Sequence, residues 1–264
     1  MGSATREALT AARDALASLP GDDGLTTGRE LFEAARVIGG SAQLRSVLAD
    51  PAVESKAKTS IVDEVFSAIG APARGLLAAA VGNRWSTQDD LLEGLEEIGI
   101  RAVAGSVDSK TSIEEELFSF GAAVSSNAEL ELAVGSKLGT AAAKSALVSS
   151  LLTGKASAQT LAIIDHLVQQ PRGRRIGELI RHAVSIVADQ AGLIVATVIT
   201  AAPISAAQLD RLRAGLAKQY GRDLQLNQVV DPSIIGGIRV QIGDDVIDGS
   251  VSTRINDLRL QLAG

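Results

Sequence analysis

The sequence predicts a mainly α-helical protein that ends in a small α+β domain. Apolar residues recur at helical spacing through most of residues 1–190, and β-branched residues become dense only after Gly192. Aromatic residues make up 2% of the 264-residue chain, so the core must consist of Ala, Leu, Val and Ile. Such a core suits closely packed helices, whereas a pocket for a flat cofactor usually recruits Tyr, Trp or Phe. We therefore expect packed helices and no cofactor.

Charge and cysteine usage argue against several classes of function. The net charge is −6 and the pI about 5.1, with Lys and Arg dispersed, so we expect no nucleic-acid partner. The chain has no cysteine, which excludes disulfides, thiolate catalysis and Cys-ligated metals. The first ten residues carry Arg6 and Glu7 and lack an apolar core, so they do not resemble a secretory signal.

One uncharged stretch, residues 191–209, is long enough to raise the question of a membrane span. It contains Pro203 and changes midway from β-branched residues to residues that start a helix. This pattern favours a strand, a turn and a helix, and we expect no direct membrane insertion.

The helical region begins with Leu9, Ala12 and Leu16 at helical spacing, and Leu19-Pro20-Gly21 ends this first helix. A second helix carries Leu31 and Ile38 and closes at Gly39-Gly40. Further helices are predicted over Lys58–Ile69, Leu91–Ala102, Asp165–Val168 and Ile176–Ala188.

Two stretches of the helical region match each other. Glu30-Leu31-Phe32 recurs as Glu116-Leu117-Phe118, 86 residues later. Further pairs follow in order at separations of 86 to 88 residues: Leu44/Leu130, Lys58/Lys144, Ile61/Leu147, Val62/Val148, Val81/Val168, Arg84/Arg172, Leu91/Leu179 and Ile98/Ile186. The matches predict a duplicated helical bundle, with a first copy over residues 1–90 and a second over 91–192. The helix around Leu91–Ala102 would close one copy and open the next. Chance similarity between Ala/Leu-rich amphipathic segments is the alternative.

The C-terminal region, residues 193–264, reads as a β-α-β-β-α domain. Leu193–Thr200 is a β-branched strand, and Leu224–Val230 is a second strand. Between them, Ser205 and Gln208 form a capping-box pattern that starts a helix.

The remaining elements form a hairpin and a last helix. Ile238–Ile242 alternates as a half-buried strand should, and Gly243-Asp244-Asp245 turns it into Val246–Gly249. Ser250 would cap a helix whose apolar face is Val251, Ile255, Leu258 and Leu262.

Three strings in this domain resemble the C-terminal half of the ATP synthase delta subunit, the oligomycin-sensitivity-conferring protein family. They occur in the family's order and with compatible spacing. The residues that carry the resemblance are Pro203, Ser205 and Gln208; Val230, Asp231, Pro232, Ile235, Gly236 and Gly237; and Gly243, Asp244, Val246, Ile247, Asp248, Gly249 and Ser250. The resemblance extends over roughly residues 90–264. The extra helical copy in front is similar to the long actinobacterial forms of the family.

The resemblance implies a non-catalytic subunit of an F-type proton-transporting ATP synthase, with no active site of its own. Its helical bundle would bind N-terminal helices of the α-subunits, and its C-terminal domain would bind the b-subunits of the peripheral stalk. It would act as a stator on the cytoplasmic face of the cell membrane, as a peripheral protein. A generic helical adaptor or scaffold is the alternative, but it leaves the C-terminal strings unexplained. An enzyme would require converging acid, base or nucleophile groups, and none is visible.

Two groups of residues are candidates for contact with a partner. Arg172, Arg174 and Arg175 follow Pro171 and would form either a solvated basic loop or a charged contact to an acidic partner helix. Arg84 and Trp85 stand at the equivalent place in the first copy, where Trp85 would be either an exposed anchor or part of the core.

Other groups that could carry chemistry have simpler interpretations. No phosphate-binding motif surrounds Gly236-Gly237 or Gly243, so these glycines are interpreted as turns with positive φ. His166 and His182 are 16 residues apart without a suitably spaced carboxylate, which argues against a metal or a general base. The acids at 244, 245 and 248 favour a solvated hairpin tip over a cation site. We expect no catalytic, cofactor or metal site.

Overall fold

The computed structural model describes residues 2–19, 23–107, 111–135, 139–243 and 245–251. The chain divides into two compact units, Met1–Val187 and Ala188–Gly264. The first unit is helical, and the second contains a four-stranded sheet. The predicted fold class, mainly α with a small α+β domain, is confirmed.

The helices of the first unit, the last of which extends past Val187, follow one another through short connections, as expected for a bundle. They are α1 Ser3–Ala17, α2 Gly24–Gly40, α3 Ala42–Ala49, α4 Ser55–Val65, α5 Ala71–Gly82, α6 Gln88–Ala104, α7 Ile113–Ser125, α8 Ala128–Gly135, α9 Ala141–Leu152, α10 Ala158–Gln169 and α11 Ile176–Gln190. Side-chain oxygens of Ser41, Thr87, Ser112, Thr140 and Ser157 accept hydrogen bonds from the first turn of the helix that each precedes.

The helix predicted over Lys58–Ile69 ends four residues early, at Val65. Phe66 leaves the helical conformation with φ −108° and ψ 29°, and the Ile69 N–H then donates to the Phe66 carbonyl in a turn. The side chains explain the early stop, because Phe66 is buried and Ile69 also packs against the core. The apolar spacing predicted a helix as far as Ile69, but the packing of Phe66 and Ile69 into the core ends it at Val65.

The order of helices α2–α6 recurs in α7–α11, and one pair of contacts and one pair of buried lysines recur with it. The Glu30 carboxylate accepts a 3.0 Å hydrogen bond from the Gly70 N–H at the start of α5. The Glu116 carboxylate accepts equivalent bonds from the N–H and hydroxyl of Ser157 at the start of α10. Lys58 and Lys144 are both buried, at 3% and 6% exposure. These paired environments are what two copies of one helical unit would produce.

Helix α6 stands at the end of the first series and before the second. It packs against α1, α2, α3 and α5, which precede it in the chain, and against α10, which follows it. Residues 91, 92 and 94–103 are all buried, so the helix is covered nearly all round. The predicted boundary after residue 90 therefore lies inside a helix. We call α1–α6 the first copy and α6–α11 the second copy.

The second unit contains β1 Ile194–Thr200, α12 Ala206–Tyr220, β2 Leu224–Val230, β3 Ile238–Ile242 and β4 Asp245–Asp248. The strand order is β2-β1-β3-β4, with β1 parallel to β2 and the other neighbours antiparallel. The apolar face of α12, including Leu216, packs with Ala196, Val198 and Val240 of the sheet. In the described part the order of elements is β-α-β-β-β. The predicted order, β-α-β-β-α, counted the hairpin as one strand, whereas the structure has two, β3 and β4. The helix predicted after Ser250 lies outside the described residues beyond Val251.

Local signals in this unit act as predicted. The Ser205 N–H donates to Gln208 Oε1 at 2.9 Å, and α12 begins at the next residue. Gly221, with φ 69°, ends the helix in the left-handed conformation that glycine adopts without strain.

Candidate partner-binding sites

The sheet brings most of the family-like strings to one edge. Thr200 at the end of β1 lies opposite Val230 at the end of β2 and opposite Ile238 at the start of β3. Asp248 at the end of β4 pairs with Arg239, one residue further along β3. The segments 201–205, 230–237 and 249–251 therefore leave the sheet at the same place, which we call the carboxyl edge. The Gly243 turn, with φ 57°, lies at the opposite edge, and Asp244 lies outside the described residues.

Asp231 shapes the turn at the end of β2. Its N–H donates to the Thr200 carbonyl at 2.8 Å, and its carboxylate accepts from the N–H and hydroxyl of Ser233 at 2.9 and 2.7 Å. The hydrogen bonds from Ser233 lower the pKa of Asp231 below its ordinary value. The Val230-Asp231-Pro232 string therefore forms a turn in which the carboxylate bonds within its own loop.

Two of the strings meet backbone to backbone at this edge. Gly237 has φ 89°, and a Cβ atom there would lie 2.6 Å from the Gly249 carbonyl oxygen. The Gly249 N–H donates to the Ile238 carbonyl at 2.9 Å, and the Val251 N–H donates to the Gly236 carbonyl at 3.2 Å. Glycine is required at 237 by both its conformation and this close approach.

Apolar side chains are exposed at the carboxyl edge. Val230 is 44% exposed, Ile235 74% and Val251 41%. Gly236 and Val251 are neighbours, since a Cβ on Gly236 would lie 3.6 Å from Val251 Cγ2. Exposed apolar groups that share one surface mark a candidate contact with another protein. We call Val230, Ile235 and Val251 the edge patch.

Trp85 belongs to the core of the helical unit. It is 4% exposed, its Nε1–H donates to the Ala80 carbonyl at 2.8 Å, and its ring lies against Gly94 of α6. Of the two interpretations of this residue, the structure thus shows core packing and not an exposed anchor. Arg84 is exposed and lines a cleft of about 650 Å³ beside the first residues of α1 and α6.

Two of the three arginines after Pro171 bind within the chain. Arg172 Nη2 lies 2.7 Å from Glu96 Oε2, and Arg174 Nη2 lies 2.8 Å from Glu96 Oε1. Neither side chain lies free in a solvated loop, which corrects that interpretation, and a charged contact of either one to an acidic partner helix stays a prediction. Arg175 is exposed and remains a candidate for partner contact.

His166 completes a buried group around Glu96. Its Nε2 lies 3.4 Å from Glu96 Oε2, and its ring stacks on Phe32 of α2. Burial opposes ionisation of Glu96, but His166 and the positive charges of Arg172 and Arg174 outweigh it and lower the pKa of the carboxyl to about 2. We call Glu96, His166, Arg172 and Arg174 the Glu96 cluster.

Sequence reasoning missed Glu96, although a signal for it exists. The residues at 91, 95, 98 and 102 form one apolar face of α6, and Leu92, Gly99, Ile100 and Val103 form another. A helix with two apolar faces packs on two sides. Glu96 belongs to the second face, where an acid needs a buried positive partner.

Within the described residues, no helix is long and apolar enough to cross a bilayer, and no three His, Asp or Glu side chains are grouped to hold a metal ion. His166 and His182 lie on different helices, α10 and α11, and only His166 is buried.

Comparisons with known proteins agree with the C-terminal strings. The sequence model of the family described as ATP synthase delta (OSCP) subunit matches residues 101–262. The chain is 56% identical to an ATP synthase subunit delta of Leifsonia xyli over 100% of both sequences, and 40% identical to that of Streptomyces avermitilis over 98% of both. A chain in a cryo-EM structure of the Toxoplasma gondii mitochondrial ATP synthase hexamer is 25% identical, with a TM-score of 0.38, and the match covers 64% of this chain and 98% of that one. The family model and the two full-length relatives show that the chain belongs to the ATP synthase delta (OSCP) subunit family.

Proposed function

We propose that this protein is a non-catalytic stator subunit of an F-type proton-transporting ATP synthase, which joins the catalytic head to the peripheral stalk. The observation that carries the proposal is the full-length similarity to ATP synthase delta subunits. As a stator, the subunit would prevent the head from turning with the rotor, so that rotation is converted into ATP synthesis. It would act at the cytoplasmic face of the cell membrane as a peripheral protein.

We assign the two contacts of the stator to different units. The helical unit would bind N-terminal helices of the α-subunits, as amphipathic helices bind in the grooves of helical bundles. The C-terminal unit would bind the b-subunits through the edge patch. The exposure of Val230, Ile235 and Val251 at one end of the sheet supports this assignment.

We also propose three domains, with a first helical copy over residues 1–90, a second over 91–192 and the C-terminal domain over 193–264; α6 crosses the boundary after residue 90 and is counted with both copies. The paired contacts of Glu30 and Glu116 and the paired burial of Lys58 and Lys144 support two copies. Because α6 serves both copies, the first boundary is a shared helix and not a linker.

The test uses the full chain with the substitutions Ile235→Asp and Val251→Asp. Binding is measured separately to the purified catalytic head and to the soluble part of the b-subunits. Loss of two apolar anchors should weaken b-subunit binding about tenfold or more and leave head binding unchanged. Val65→Asp, at an apolar residue of α4 that is 49% exposed, is the control for b-subunit binding and should leave that affinity unchanged.

Equal loss of both contacts in the edge-patch variant would contradict the division of labour. A wild-type chain that bound neither head nor stalk but recovered an unrelated partner would support the generic adaptor instead.

A further inference from the structure

The Glu96 cluster joins parts of both helical copies at one buried point. Glu96 lies on α6, His166 lies on α10, and Arg172 and Arg174 lie on the turn between α10 and α11. Phe32 reaches the same point from α2 of the first copy and stacks on the His166 ring. The contact that positions the α10–α11 turn is thus made by residues of the first copy and of the shared helix.

The turn is held in a conformation that its own sequence does not favour. Arg172 has φ 44°, in the left-handed region that residues with a side chain rarely adopt, and Gly173 follows with φ 80°. Such conformations persist where the surrounding contacts determine them. Here those contacts are the hydrogen bonds from Arg172 and Arg174 to Glu96.

The cluster already contains more positive than negative charge. Two guanidinium groups share the single carboxylate of Glu96, which is 1% exposed. Arg36 on α2 adds positive potential at His166. Glu93 on α6 offsets part of this charge, 4.0 Å from Arg174 Nη1, but its side chain is 38% exposed and reached by solvent.

His166 fits this environment only as a neutral ring. It is 0% exposed, and burial lowers its pKa, with Glu96 opposing and Arg36 and Arg172 adding to the effect. A proton on the ring would place a further positive charge beside two arginines and away from water.

The other elements that pack on α10 do not supply a charge that changes this balance. Lys144 of α9 donates to the Val168 carbonyl at the end of α10, and Glu116 of α7 bonds to Ser157 at its start. Asp165 on α10 itself accepts from Gln169.

We propose that the Glu96 cluster is a proton-sensitive latch between the two helical copies, and that protonation of His166 releases the Arg172–Arg174 turn. The imidazolium competes with both guanidinium groups for the one carboxylate and repels them. Once the bonds to Glu96 weaken, the turn relaxes from its left-handed conformation. Since the closed form disfavours the proton, the open form gains population as the pH falls below the ordinary histidine range near 6.5.

The chain is well suited to a direct test because it has two histidines. The His166 and His182 ring signals of the full chain are followed by NMR from pH 7.5 to 5, with the exposed His182 as the reference. Hydrogen exchange of the Arg174 amide, which donates to the Pro171 carbonyl at 2.8 Å, reports the state of the turn. The matched control amide is Ser86 in the α5–α6 connection, which donates to Thr5 Oγ1 at 3.1 Å with no histidine nearby in sequence.

After correction for intrinsic exchange, protection of the Arg174 amide should fall several-fold between pH 7 and 5.5, and protection of the Ser86 amide should not. His166→Gln, which cannot take up a proton, should abolish the acid-induced loss, whereas His182→Gln should retain it. Unchanged protection of Arg174 in the wild-type chain would overturn the proposal, as would the same loss in His166→Gln. The wild-type measurement decides the question even if the His166 variant does not fold.

Discussion

The ring of Phe32 lies face to face with that of His166, with centroids 4.2 Å apart and planes inclined by 12°. The two residues are far apart in the chain and come from α2 and α10. Their stacking places an apolar surface against the one histidine that the fold buries. The contact therefore links the packing of the first copy to the charge state of the second.

Phe32→Ala should destabilise the helical unit strongly. Phe32 is 2% exposed and fills the space beside Gly99, so its removal leaves a cavity worth about 3–5 kcal/mol. Phe118→Ala is the matched control, because Phe118 occupies the equivalent place in the second copy and is only half-buried. Urea denaturation of both variants measures the difference, and equal losses would show that the contact with His166 and α6 contributes nothing.

Glu96→Gln should lower the free energy of unfolding more than an acid-to-amide change at a partly exposed acid of α6 such as Glu93. It leaves the Arg172 and Arg174 side chains, only 17% and 23% exposed, with the partly exposed Glu93 as the remaining nearby acid, and breaking a largely buried pair typically costs about 3–5 kcal/mol. Glu93→Gln is the control and should cost under about 1 kcal/mol, since Glu93 is partly exposed and more distant. The free energy of unfolding at pH 7 checks both values. Similar values for the two variants would mean that the cluster is solvated in solution.

The contribution of Glu96 should disappear in acid. Its pKa is lowered from 4.5 to about 2 on folding, so the stabilisation is complete above pH 4.5 and is lost as the pH falls towards 2. Between pH 5 and 3 the stability difference between the wild-type chain and Glu96→Gln should shrink by about 2 kcal/mol. Urea titrations at a series of pH values measure this difference, and a constant gap over that range would refute the assigned pKa.

Gly237→Ala should disrupt the carboxyl edge. An alanine would be strained at φ 89° and would meet the Gly249 carbonyl, which should cost about 2 kcal/mol or more in the C-terminal unit. Gly215→Ala in α12 is the control, because nothing lies within 4 Å of its Cβ position and the change should stabilise the helix by about 0.5–1 kcal/mol. Thermal unfolding should shift in opposite directions for the two variants. A Tm for Gly237→Ala equal to or above that of the wild-type chain would show that the backbone contact at 237 is unimportant.

The strands and the helix of the described part of the C-terminal unit could be predicted closely because their signals are local, whereas the helix predicted after Ser250 lies outside the described residues. The alternation of apolar and polar residues predicted β3, and the capping box of Ser205 and Gln208 predicted the start of α12. The helical unit was predicted as helices, but the roles of its side chains were not. The Trp85 ring packs against Gly94 of α6, and Arg172 bonds to Glu96, which lies 76 residues earlier in the chain. No periodicity within one helix reports such distant partners, and only the two-sided apolar pattern of α6 pointed towards them.

Helix α6 has a consequence for how this chain could have gained or could lose its first copy. Removal of residues 1–87 would leave Leu92, Ile100 and Val103 facing water along the stripe that α2 and its neighbours now cover. Removal of residues 1–104 would instead take away the helix that carries the acid binding Arg172 and Arg174. A chain shortened to begin at α6 must therefore replace the apolar residues of α6 that α2 no longer covers with polar ones, so truncation and surface substitution have to occur together.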